Sequence, residues 1–96
     1  MATMAQREAT LAQLRERLAA LKPVLLELTD ESERHAGHAG AREGGHFTLL
    51  IESTTFVGQS RLQAQRAVLQ LLGDLRSIGV HALSISTRIP QVSSFN

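Results

Sequence analysis

The sequence predicts one small α/β domain of the α+β kind, in the order α-β-β-α-β, with two helices packed on one face of a three-stranded mixed sheet. Three observations carry this. Two stretches repeat apolar residues at three- and four-residue steps, as a helix buried along one face requires. Three shorter aliphatic stretches alternate in and out, as half-buried strands do. The second of these is followed by a helix and a further strand, and such a crossover leaves its two strands parallel.

The first helix is expected over residues 5–21. Thr3 with Gln6 forms a possible capping pair, and Met4, Leu11, Leu14, Leu18 and Leu21 mark a stripe that ends before Pro23. Arg7, Glu8, Arg15, Glu16 and Arg17 fall on the other sides and read as a solvated surface with weak ion pairs. Residues 24–29 put Val24, Leu26 and Leu28 on one face and read as the first strand. From 30 to 45 no apolar period exists, only Gly37, Gly40, Gly44 and Gly45 among polar residues, alanines and two histidines, with His46 just after, which predicts a long mobile loop at a hairpin tip.

Residues 47–53 alternate with Phe47, Leu49 and Ile51 on one side and pair most simply with the first strand as an antiparallel hairpin. Phe56-Val57-Gly58 predicts a turn whose phenylalanine anchors the start of the main helix, the glycine allowing the reversal. Ser60 with Gln63 is a capping box, so that helix begins near Arg61. Ala64, Val68, Leu71, Leu75 and Ile78, widened by Ala67 and Leu72, carry its stripe to Gly79, whose left-handed conformation would end it. Arg76 would then lie in the last turn, where the helix dipole favours a cation, while Gly73 inside the helix costs roughly 1 kcal/mol against alanine. The third strand is expected over 80–86, with His81 on the side of Leu83 and Ile85. One domain, 1–96, is expected, with 1–4 and 91–96 frayed.

The chain has 96 residues and 43% hydrophobic content, enough for a single two-layer core. A net charge of +1 argues against an extended nucleic-acid stripe. The absence of cysteine excludes disulfides, thiolate nucleophiles and thiolate ligands from this chain. No run approaches a membrane span or a secretory signal, and a soluble cytoplasmic protein is expected. No nucleophile, base and orienting residue can be assembled from the spacing, so an enzyme is not expected.

Glu27, Asp30-Glu31-Ser32, the histidine loop, His46-Phe47, Phe56-Val57-Gly58, Leu62-Gln63 with Arg66, and Val80-His81-Ala82-Leu83 with Thr87 and Pro90 together resemble the BolA family, from about Leu18 to Pro90. The resemblance implies a class II K-homology (KH-like) fold. It also implies binding of a monothiol glutaredoxin, with or without a bridging 2Fe-2S cluster, in iron–sulfur trafficking and iron regulation. Some members are DNA-binding transcriptional regulators of stress response and morphology, which is the alternative function. Residue by residue, the resemblance puts the C-terminal cluster ligand on His81 and the variable second ligand on His35, with His38 and His46 as reserves. The family's Arg-His-Arg run stands here as Ala64-Gln65-Arg66, and after the proline the chain continues Gln91-Val92-Ser93-Ser94 rather than with acidic residues and a tryptophan.

A 2Fe-2S cluster takes four ligands, normally thiolates, so a cysteine-free chain needs a partner to supply sulfur. In the mixed dimer the glutaredoxin cysteine and a bound glutathione would hold one iron, with His81 and His35 on the other. The isolated protein is then expected to carry no cofactor and to be a monomer. The competing readings are a strand-end His81 satisfied by a backbone carbonyl, a solvated His35, and zinc at His35, His38 and His46, for which no fourth ligand is evident. For nucleic acid, K-homology domains use a Gly-x-x-Gly clamp, and here Gly58 is followed by Gln59-Ser60-Arg61 with no second glycine. Arg61 and Arg66 would be its phosphate contacts, or a partner's carboxylate contacts.

Overall fold

The structure, a computed structural model, describes residues 4–31 and 45–91. Helix α1 (Met4–Leu18) continues through a 3-10 turn at Ala19–Leu21 and ends where Lys22 turns left-handed ahead of Pro23. Its buried stripe is Thr10, Leu14, Leu18 and Leu21. Met4, expected on that stripe, is 69% exposed, the buried stripe beginning at Thr10, nearly two turns further on. Thr10 takes an inward position that its polarity argued against, since its hydroxyl donates to the Ile78 carbonyl at 2.7 Å and so enters the core satisfied. The proposed cap Thr3 lies outside the described residues.

Strands β1 (Leu25–Asp30), β2 (Gly45–Glu52) and β3 (Val80–Arg88) form one sheet in the order β1-β2-β3. β1 is antiparallel to β2 and β3 is parallel to it, as the crossover demands. Asp30 and Gly45, expected in the loop, are strand residues, and residues 32–44 lie outside the described residues. Val24 precedes β1 and is exposed, although its amide still donates to the Glu52 carbonyl. Phe47, Leu49 and Ile51 point into the core as expected.

A 3-10 turn at Thr54–Phe56 buries Phe56 and leads through Gly58 (φ 83°) to helix α2 (Arg61–Leu72). The Ser60–Gln63 capping box is formed on both sides. The turn is fastened to the end of α1, because buried Ser53 donates its hydroxyl to the Leu21 carbonyl at 2.6 Å.

The largest departure from expectation is the length of the main helix. Helix α2 does not run to Gly79 but stops at Gly73, whose φ of 69° and ψ of −140° leave the helical region. Arg17 of α1 donates its guanidinium to the carbonyl of Leu72, the last residue of α2, and thereby satisfies a helix end the sequence placed further on. The Asp74 carboxylate accepts the Arg76 amide, and a 3-10 turn, Arg76–Ile78, follows before left-handed Gly79. Ile78 remains buried from this turn, so the three-residue apolar step that suggested more α-helix is met by 3-10 geometry instead. Arg76 therefore does not sit in the last turn of α2. The surface reading also fails for Arg17, and for Arg7, whose Nε lies 3.2 Å from the Asp30 carboxylate and ties α1 to β1. Leu14 and Leu18 of α1, Ala64, Val68 and Leu72 of α2, and the inward residues of the sheet form one core between a helical layer and a sheet layer.

Candidate functional site

His81 is the second residue of β3, and what positions it is the turn just before. At Gly79 φ is 91°, and a Cβ built there would lie 2.7 Å from Thr10 Oγ1, so both conformation and space require glycine. Thr10 fixes the preceding carbonyl, that of Ile78, while the Gly79 carbonyl accepts the Gly45 amide at 2.9 Å. Helix α1 and strand β2 thus hold the backbone from two directions immediately before the histidine.

The strand is irregular at that point. Gly45 pairs with Val80 and His46 with Ala82, which leaves His81 as the extra residue of a β-bulge. The packing demands it: Val80 and Leu83 both pack on the core although three positions apart, which an uninterrupted alternation cannot provide. The expected row of His81, Leu83 and Ile85 is therefore broken at its first member. The bulge carries the His81 ring to that of His46, with centroids 5.1 Å apart and planes tilted by 45°.

His46 is itself held by its backbone, whose carbonyl accepts the Glu31 amide at 2.7 Å. The Glu31 carboxylate in turn accepts the Thr48 hydroxyl at 2.7 Å, so the end of β1 is stitched to the strand that bears His46. Of the four histidines singled out, the structure brings together His81 and His46; His35 and His38 lie outside the described residues. Among the described residues no group of three His, Cys, Asp or Glu side chains is arranged to hold a metal ion. Two adjacent imidazoles on rigid backbone are nonetheless a two-donor set, half of what a metal or a cluster iron needs.

The other predicted contacts lie elsewhere. Arg66 is exposed on α2 and Arg61 is exposed at its start, and among the described residues neither is held in an ion pair. Gly58 has φ 83° with open space around a built Cβ, so within this chain it is the turn's backbone conformation that favours glycine there. Arg61 lines a groove with Gln65, Ile85, Thr87 and Arg88. Sequence reading passed over Gln65, which donates its amide to the Ile85 carbonyl at 3.2 Å, and Arg88, which lies 3.7 Å from the Glu52 carboxylate. No helix among the described residues is long and apolar enough to cross a membrane.

The chain is similar to SufE-like protein 1, chloroplastic/mitochondrial, of Arabidopsis thaliana, with 42% identity over 73% of this chain and 20% of that protein. It is similar also to the DNA-binding transcriptional regulator BolA of Escherichia coli, with 39% identity over 72% of this chain and 64% of that protein. The chain thus spans a fifth of the first relative and just under two thirds of the second. Among solved structures, BolA1 from Arabidopsis thaliana superposes with a TM-score of 0.70 at 39% identity, covering 82% of this chain and 89% of that one. The sequence matches the family described as BolA-like protein over residues 18–91, a span that contains every described strand, helix α2 and both paired histidines, and the chain belongs to that family.

Proposed function

We propose that this chain is the partner of a monothiol glutaredoxin and carries or hands on a bridging 2Fe-2S cluster in iron–sulfur trafficking and iron regulation, with a cytoplasmic setting and no enzymatic activity of its own. The single observation that supports the reading best is the approach of the His81 and His46 rings to 5.1 Å at a pinned bulge. The donor set suits a half-site: the chain has no cysteine, and the partner's cysteine and its bound glutathione would hold the second iron. Imidazole in place of two thiolates raises the potential of such a cluster. His81 and His46 would hold the first iron, His46 standing where the resemblance gives the second place to His35. Thr10, Gly79 and the Glu31 amide keep the two backbones in place, so little ordering remains to be done on binding. The free protein is a monomer in this reading and carries no cluster.

The test is to mix the purified protein with cluster-loaded monothiol glutaredoxin and to follow visible absorption and circular dichroism. His81→Ala should abolish the new spectrum with far-ultraviolet dichroism unchanged. His46→Ala and His35→Ala then decide which imidazole is the second ligand, the one whose loss removes the spectrum being the ligand. If the wild-type protein forms no complex and leaves the spectrum as it was, the reading fails.

The name of the Escherichia coli relative favours a second reading, a DNA-binding transcriptional regulator, to which the family resemblance adds stress response and morphology. Arg61 and Arg66, exposed on α2 and in no ion pair among the described residues, would be its phosphate contacts beside Gly58. Duplex affinity must then fall steeply with salt, by close to one logarithmic unit of slope per phosphate contact. A flat salt dependence excludes it.

A further inference from the structure

We propose that the groove between the start of α2 and the outer edge of β3 binds an extended acidic segment of a protein partner by strand addition, at a site separate from the histidine pair. Three neighbouring concavities meet there at Arg88, with Arg61 and Thr87 lining two of them and Ile89 another two. Among the described residues β3 is an edge strand, with β2 as its neighbour on one side. The direction of its free groups follows from two hydrogen bonds. The Arg88 carbonyl accepts the Ser53 amide on the β2 side, whereas the Ile85 carbonyl is taken by Gln65 of α2 on the other. Alternation then turns the amide and carbonyl of Thr87 toward the groove.

Charge selects the occupant. Arg61 and Arg88 flank Thr87, and the acid paired with Arg88 is Glu52, at a loose 3.7 Å. Ile89, 47% exposed, offers one apolar contact beside them. Backbone groups on an open edge, two cations and an exposed aliphatic side chain suit an extended peptide with carboxylates, in the manner of β-augmentation. Gln65 marks the inner limit, since it already fills the edge position at Ile85. His81 and Arg88 stand seven residues apart on one strand, about 23 Å, so cluster ligands and peptide would not compete for space.

The experiment uses the full chain and a fluorescein-labelled octapeptide of alternating valine and threonine ending in two glutamates, read by anisotropy. The wild-type protein should bind it, and Arg61→Glu with Arg88→Glu should weaken binding by about tenfold or more, while His81→Ala leaves it unchanged. Methylating the peptide nitrogen that faces the Thr87 carbonyl should weaken binding comparably, which a purely electrostatic contact would not show. Equal binding of the same peptide ending in two lysines would overturn the proposal. So would no binding of the glutamate peptide, or its full displacement by a thymidine dodecamer at equal concentration, which would make the groove a nucleic-acid site. Because the probe contains no cluster and no glutaredoxin, failure here leaves the histidine reading standing.

Discussion

Substituting Gly79 by alanine tests whether α1 governs the approach to His81. The backbone at Gly79 has φ 91°, and an L-residue held in left-handed conformation costs about 1–2 kcal/mol. The new Cβ would also stand 2.7 Å from Thr10 Oγ1, too close for either atom to remain. Moving the hydroxyl away breaks its buried bond to the Ile78 carbonyl, a further loss of about 1–3 kcal/mol once that acceptor is stranded. The total is about 3 kcal/mol, or about 12–24 °C in the melting midpoint of a domain this size. With Thr10→Ala already made, the nearest atom of residue 10 is its Cβ at 3.9 Å, an ordinary contact, so only the backbone cost of about 1–2 kcal/mol should remain. A double-mutant cycle by urea denaturation should therefore show a coupling of at least about 1 kcal/mol, the double mutant being more stable than the sum of single losses implies. Additivity within about 0.3 kcal/mol would refute the claim that Thr10 and Gly79 act as one clamp.

Arg17→Ala removes the guanidinium from the Leu72 carbonyl and should cost about 1 kcal/mol, with the amides at the end of α2 exchanging faster; Arg15→Ala, on the exposed side of the same turn, should cost under about 0.5 kcal/mol. Ser53→Ala leaves the Leu21 carbonyl with only the 3.3 Å contact to Thr55, and urea denaturation should register a loss of about 1–2 kcal/mol. Arg66→Ala should leave stability within about 0.5 kcal/mol of wild type while weakening either glutaredoxin or duplex binding; if both are untouched, Arg66 has no partner role.

What could be read from the sequence was what neighbours in the chain decide. The capping box needs only Ser60 and Gln63, and the inward row of β2 needs only the alternation of Phe47, Leu49 and Ile51, so both appear where expected. Apart from element boundaries, the main misreadings involve groups far apart in the chain. Arg17 caps a helix that ends at Leu72, and Thr10 satisfies a carbonyl at Ile78. No local pattern distinguishes such an arginine from a solvated one, or such a threonine from a surface one. The break at Gly73 belongs with them, because a glycine costing about 1 kcal/mol in a helix is tolerable until a remote guanidinium makes stopping there favourable.

The site shows the same division, with one instructive exception. His81 was singled out by the family resemblance, which placed its companion in the loop at His35. The clue to His46 was the phase of β3: Val80 and Leu83 are both apolar at an odd separation, and both can reach the core only if the strand slips by one residue between them. A slip at residue 81 or 82 releases one side chain from the regular alternation. Gly45, buried and paired with Val80, sets where β2 must meet the slipped strand, and the next residue along is His46. A single phase error in an apolar row thus brings two histidines of distant sequence together. Because it is fixed by core packing rather than by loop conformation, the arrangement should persist in the free protein and not await a partner.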